Sequence, residues 1–516
     1  MRELFAKLDS IAGLGEERGA ALWLDRAAFI FLVLMVVFAP HSIAATQSAW
    51  LIGMTIYAVR LVVAPRAFTG ISRLDIALFG LFVWSVVSSI FSFAPDISLG
   101  KLRAALLFVI VYFVAGNVRT KAAGFFLAFT LIASCMFSAL ITPIERLIGR
   151  GVEVHGVNTS GPLDRANIKD GDTILAIGKQ KISSPEEVVA AIEREGSVEF
   201  RIYKTDYEIK STLSREDLPA GSTANERLGF TSWKPSHNWR SAGFYGHFTT
   251  YAEVLQLIMS LVVGLAVAAF ASWRRREPLA APRRSFVILA ACLAFMALAL
   301  VLNVTRASQG GLLVSGFLIV LIGLGRRWIL IANLAILPII ALALFALQQT
   351  REVGFFDAKD NSTTWRQTVW REGFDLWTKD ARNFTFGVGM DSIKRFAPEW
   401  RLFDNGRLPM GHFHSTPLQL AVERGWPALL IWLIIVGIYG RTLLSAIRKN
   451  QSADWRYAGI LLGCFGGLAG FLVSGMVHYN LGDSEVAMVF YILMGVSLTL
   501  IRIEQIDESG AGPTRR

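Results

Sequence analysis

The chain has 516 residues, 53% of them hydrophobic, and a mean hydropathy of +0.47. A soluble globule must cover its surface with more charge than this, so the composition excludes one and sets most of the chain against lipid. The net charge of +11 would suggest nucleic acid as a partner in a soluble protein, but here the basic residues sort by loop, which argues for membrane lipid and against nucleic acid.

Apolar stretches of about 17 to 25 residues recur along the chain, each long enough to cross a ~30 Å hydrocarbon core as a helix. About twelve spans are expected, near 26–43, 48–64, 74–93, 102–118, 122–143, 246–272, 285–304, 309–325, 328–347, 417–440, 456–478 and 485–503. The first, around Ala27 to Pro40, follows a polar leader and lacks an A-x-A cleavage pattern, which reads as an anchor and not a cleaved signal. The basic groups are Arg60, Arg66 and Arg73; Arg119 and Lys121; Arg274 to Arg276 with Arg283 and Arg284; Arg326 and Arg327; Arg441, Arg448, Lys449 and Arg456; and Arg515 with Arg516. If the N-terminus is inside, every one of these groups falls inside, as the positive-inside rule requires. Cys135, Cys292 and Cys464 each sit in an apolar stretch, so no disulfide framework is expected.

Both termini are then cytoplasmic and two long connections, Pro143 to Tyr245 and Leu347 to Thr416, lie outside. The expected fold class is an α-helical polytopic membrane protein with a small α/β insertion. Its parts are N-terminal transmembrane helices (1–144), an outer module (145–215), central helices (216–347), an outer loop (348–416), and C-terminal helices with a cytoplasmic tail (417–516).

In the first connection, Gly151 to Val154 alternates as a strand, Gly161-Pro162 starts a turn and Thr173 to Ile177 forms a second strand. Ser184-Pro185-Glu186-Glu187 caps a helix running to about Glu195, and Val198 to Tyr203 with Tyr207 to Leu213 closes a hairpin. The run from Gly161 to Gly178, followed by Ile182-Ser183-Ser184 and that helix, resembles the bacterial PDZ pattern. The resemblance implies a sheet edge that docks a peptide or protein, with a structural spacer as the alternative. Asp170-Gly171-Asp172 looks like a metal-binding D-x-D but stands where the PDZ turn falls, so no metal is expected there.

Three polar segments flank the later spans. Asn303 to Gly311 places Arg306 in a tight turn at an outer boundary, where an arginine can also simply snorkel to the headgroups. Between Asn361 and Trp377, capped by Ser362 or Thr363, Trp370, Phe374 and Trp377 repeat at i, i+4 and i+7. That spacing predicts an interfacial helix with its aromatic face down and Arg366 and Arg371 free for an anionic headgroup. Gly411 to Trp426 holds His414 just before the helix start Thr416-Pro417, where an imidazole can titrate near neutral pH and serve as a base.

The order Arg306, Ser362-x-x-x-Arg366, Gly387-Val388-Gly389, then His414-Ser415-x-x-Leu418-Gln419-x-x-x-Glu423-x-Gly425, is similar to the O-antigen ligase and polymerase family. Arg240 to His247, followed by Thr250-Tyr251-Ala252, resembles that family's first outer-loop motif, and the likeness covers roughly residues 240 to 500. Ser415 replaces the family's usual Asn. The resemblance implies a glycosyltransferase of a bacterial inner membrane, working on the periplasmic side with no metal or cofactor. It would move a polysaccharide from undecaprenyl diphosphate to a lipid or glycan acceptor such as lipid A core, in lipopolysaccharide biosynthesis. On that reading Arg306 and Arg366, with Arg240 as a weaker third, hold the diphosphate and His414 takes the acceptor proton. Glu423 lies about 13 Å further along a straight helix, too far to touch His414. A polysaccharide polymerase of the same family uses the same donor site, and a transporter or sensor is the reading from another class.

Overall fold

The computed structural model describes residues 2–14, 17–65, 71–178, 180–204, 207–237, 239–276, 281–325, 361–408, 411–449 and 454–508. The expected span at 328–347 lies outside these, as do Arg66, Arg326, Arg327, Arg515 and Arg516. Among the described residues, 11 helices are long and apolar enough to cross a membrane, and each coincides with one of the remaining expected spans. In chain order they are α1 (Gly19–Phe38), α2 (Ile43–Val63), α3 (Arg73–Ile90), α4 (Pro95–Asn117), α5 (Lys121–Ile148), α6 (Phe248–Arg274), α7 (Pro282–Asn303) and α8 (Arg306–Leu324), then α10 (Thr416–Lys449), α11 (Trp455–Gly475) and α12 (Ser484–Glu508). The helix Asn361–Thr378 precedes α10 and is α9. The first span begins at Gly19, earlier than its hydropathy suggested, and the polar leader itself forms a helix, Arg2–Ala12.

The centre of the bundle is α6, α11 and α12, which bury 78%, 72% and 78% of their apolar windows, against 22% for α2, α7 and α8. Without a hydrophobic drive between helices in lipid, close packing needs small residues. A Cβ on Gly264 of α6 would collide with the backbone of Gly459 and Gly463 on α11, and Gly311 of α8 lies as closely on Gly470.

At the end of the bundle where α1 begins and α2 ends, two buried charges, Arg60 and Asp25, meet two partly exposed ones, Glu17 and Arg119. Arg60 is 2% exposed and pairs with Glu17 at 2.9 Å and Asp25 at 3.0 Å, while Arg119 reaches Asp25 at 2.5 Å and Glu17 at 3.3 Å. Arg60 and Arg119, expected as loop cations, are instead half of a two-acid, two-base brace.

At the opposite end α5 runs into an antiparallel sheet of β1 (Arg150–Val157), β2 (Thr173–Ile177), β3 (Gln180–Lys181), β4 (Ser197–Lys204), β5 (Tyr207–Ser214) and β6 (Phe230–Ser236). The order is β5-β4-β2-β1-β6, with β3 on β2. The expected helix spans Pro185–Glu195, and the Ser184 hydroxyl accepts from Glu187 N. One face of the sheet closes on Val188, Ile192, Val198, Phe200 and Ile202. The sheet runs past residue 215, because β6 pairs along β1.

The helix α9 folds as its pattern predicts and packs on the loop by a neighbouring face. Val369, Gly373 and Leu376 are buried, packed with Val388, Phe403, Phe413 and Val422, whereas Phe374 is 53% exposed. Phe374 of the aromatic repeat points outward, Trp370 and Trp377 are half-buried, and the seam one residue away holds the loop together. The helix is described from Asn361, so Ser362 and Thr363 fall inside its first turn.

Candidate active site

The end of the bundle that carries the sheet gathers the polar groups. Gly387, Val388 and Gly389 lie on the first turns of α10, where Val388 N donates to Val422 O at 2.8 Å and Gly389 N to Glu423 O at 2.9 Å. Gly425 (φ 76°) breaks α10 at this crossing, and a Cβ there would strike the Thr385 carbonyl, so only glycine meets both the turn and the approach. From α3, Ser88 donates to Phe386 O at 2.7 Å and Trp84 Nε1 to Arg424 O at 2.7 Å, which clips the loop to the bundle.

The clip fixes residues 411–416. Thr416 opens α10 as predicted, and its hydroxyl bonds His478 O at 3.1 Å and Asn480 Oδ1 at 2.8 Å. Phe413 N donates to Gln419 Oε1 at 2.8 Å. His414 itself adopts φ 48°, a left-handed conformation that costs a non-glycine residue on the order of 1–3 kcal/mol. Its ring meets Trp365 edge-on at 4.4 Å and the His412 ring at 4.0 Å, while His414 N donates to His412 Nδ1 at 3.2 Å.

A cavity of about 430 Å³ opens here, lined by His247, His412, His414 and His478 together with Glu253, Asp483 and Glu485. Four of the chain's seven histidines thus meet in one cavity, although they come from three separate connections. A second space of about 620 Å³ between α2, α3 and α4 shares His412, Tyr479, Gly482 and Ser484 with it. The wall between them is tied by Tyr479, whose hydroxyl donates to Glu423 at 3.2 Å, and by Asp391 N, which donates to the other Glu423 oxygen at 2.9 Å. Glu423 braces this wall and makes no contact with His414, as its offset predicts.

Burial, then the positive fields of His412, His478 and Arg366, hold the His414 imidazole well below its ordinary range. Burial likewise pushes His412 down to about 4 and His478 to about 3, the latter helped by Arg366 and Arg240. The expectation that His414 titrates near neutral pH is corrected on this point: half-buried among like neighbours, the ring is a neutral imidazole at pH 7.

The structure brings His414 and Arg366 into one neighbourhood, since Trp365 packs on His414 and the Arg366 charge acts on both His414 and His478. Arg240 is fixed differently. It donates to Asn303 O and Val304 O at 3.2 Å and to Thr305 Oγ1 at 2.9 Å, with its guanidinium 3.6 Å from the Phe248 ring centre. Arg306 follows Thr305 directly as the first residue of α8, so the Arg240 fork clamps the turn that presents it. Arg306 and Arg366 stand outside the lining of the histidine cavity. Sequence reasoning passed over His478 and Glu253, although both were findable as ionisable residues in or beside apolar spans.

These features define a multi-pass membrane protein with a polar cavity at one end of its helical bundle. Residues 291–433 match the family model described as O-antigen ligase, which supports that family and a membrane glycan ligase or polymerase type of function. The matched stretch contains Arg306, Arg366 and His414. No curated protein matches the chain.

Proposed function

We propose that the chain is a metal-independent glycan transferase of a bacterial inner membrane, moving a polysaccharide from undecaprenyl diphosphate to an acceptor hydroxyl such as that of lipid A core. The end bearing the sheet and the cavity faces the periplasm on this reading. The observation that carries it is the ring contact of Trp365, next to Arg366 on α9, with His414 at the cavity, from segments some fifty residues apart that both fall in the matched stretch. In the reaction the acceptor oxygen bonds the anomeric carbon, the bond to the diphosphate breaks and the diphosphate keeps the electron pair. The hydroxyl proton passes to His414, which burial keeps neutral and able to accept it. Arg366 and Arg306 offer planar forks to the developing phosphate charge, and Arg240 sets the turn before Arg306. An anion seated beside Arg366 offsets that part of the field on His414 and raises its basicity, while burial, the largest cause, continues to hold the ring low. The antiparallel sheet module is assigned to docking a peptide or protein partner along an edge.

The test is the surface polysaccharide of a deletion strain complemented with wild type, His414→Ala or Arg366→Ala, at matched membrane levels. Long chains left on the lipid carrier with bare core in the deletion and in both variants support the ligase. Single-unit chains reassign it as a polymerase, and full rescue by both variants refutes the site.

A further inference from the structure

One buried pair is used by nothing above. Glu253 lies in the second turn of α6 and is 2% exposed, in a span where a carboxyl is costly and marks function by default. Its Oε1 stands 2.9 Å from His478 Nδ1. His478 sits in the connection from α11 to α12, whose backbone is held by Thr416 and by Asn480, which donates to Phe471 O at 2.7 Å and Ser474 Oγ at 3.1 Å. The ring is therefore presented by a rigid turn. Both residues line the cavity that His414 lines. With Nδ1 engaged by Glu253, Nε2 is the nitrogen left for a ligand. Arg366 from α9 and Arg240 from the segment before α6 both act on this ring, so His478 shares its surroundings with two of the three arginines assigned to the donor. Both His478 and Glu253 lie outside the stretch that matches the family.

We propose that His478, its tautomer set by a protonated Glu253, donates a hydrogen bond from Nε2 to the diphosphate of the lipid-linked donor. The inference rests on the diphosphate-donor reading given under Proposed function. With the proton on the carboxyl, Glu253 donates to Nδ1 and His478 is left with Nε2–H, a neutral donor toward the diphosphate. As the anomeric bond breaks, the leaving group gathers charge and this hydrogen bond strengthens without a further cation in the cavity. An ionised Glu253 reverses the arrangement: Nδ1–H turns to the carboxylate and an Nε2 lone pair faces the phosphate and repels it. Glu253 is thus a positioning residue acting through His478. The other charged and titratable groups around the pair are Arg366, Arg240, His247, His412, His414, Tyr479, Glu485, and Asp483, the last of which accepts from Thr250 at 2.5 Å.

The experiment measures binding of farnesyl diphosphate, a short isoprenoid diphosphate, to the full-length chain in detergent across a pH series. Wild type is expected to bind, with affinity falling as rising pH removes the Glu253 proton. His478→Phe should weaken binding roughly tenfold or more at the acidic end, the size of one hydrogen bond to a charged group. Glu253→Gln, whose amide still donates to Nδ1, should keep the affinity of the acidic end and lose that fall. A pair that merely fastens α6 to the turn would leave the pH dependence as in wild type. Wild-type affinity in His478→Phe, or a wild-type pH dependence in Glu253→Gln, overturns the inference alone. No binding by wild type removes the diphosphate-donor reading and this inference with it. If His478→Phe does not fold, the Gln variant decides.

Discussion

The two ends of the helical bundle bury ionisable groups in opposite ways. At the end where α1 begins, Glu17, Asp25, Arg60 and Arg119 answer each other charge for charge within 2.5 to 3.3 Å. At the other end four imidazoles share a cavity with three carboxyls, and burial keeps the three histidines of the 412, 414 and 478 positions neutral. A closed network has no capacity left for a ligand, so it can only brace. An open set of neutral, polarisable groups beside arginines is paid nothing for stability and keeps its hydrogen-bonding capacity for substrate.

Variants at each end should break this contrast in different readouts. The largest effect is expected from His414→Ala, a loss of glycan transfer on the order of 10² to 10⁴-fold with normal membrane level, read in isolated membranes holding natural donor and acceptor. Arg366→Lys should lose on the order of 10²-fold in the same assay, because an ammonium cannot reproduce a planar fork, and near-normal rates would remove Arg366 from the site. Asp25→Ala should leave the rate per folded molecule unchanged and cost about 3 kcal/mol of stability by stranding Arg60 and Arg119, seen as a lower melting temperature in detergent. A variant that melts as wild type would show that the brace carries no stability.

At the cavity end acid should act through the histidines. His412 and His478 titrate lower in the fold, at about 4 and about 3, than when unfolded. Below their unfolded value near 6.5 the unfolded chain binds more protons, so stability is full above about 6.5 and falls as pH drops toward 4. His412→Gln should flatten that part of the melting profile, and an unaltered slope would place the titrating groups elsewhere. The smallest effect belongs to the exposed pair of Arg227 and Glu193 in the sheet module, where Arg227→Ala should leave the melting temperature close to wild type.

Local pattern was the legible part of this chain. The spans follow from runs of apolar residues, and β2 with its Ser184-capped helix follows from alternation and a cap, all signals confined to a few neighbours. The strand β6 was missed because its partner β1 lies about eighty residues earlier and its own sequence, FTSWKPS, contains a proline. The seam by which α9 holds the loop was not legible, because the aromatic repeat at Trp370, Phe374 and Trp377 is a stronger signal than the Val369, Gly373 and Leu376 positions that the fold buries. In the candidate site, motif spacing reached His414 and Arg366. His478 and Glu253 were not reached, since their pairing at |i−j| of 225 exists only after α6 and α11 have packed through their glycines.

The clip around Gly387 and Gly425 bears on how this molecule can be recombined. The loop before α10 is fastened at residues 386–389 at once to α10, through Val422 and Glu423, and to α3 and the turn after it, through Ser88 and Ser92. The loop is therefore no interchangeable cassette. A chimera that imports it from another chain must import the serine-lined edge of α3 as well, some three hundred positions upstream, or the histidine it carries will arrive in the wrong place.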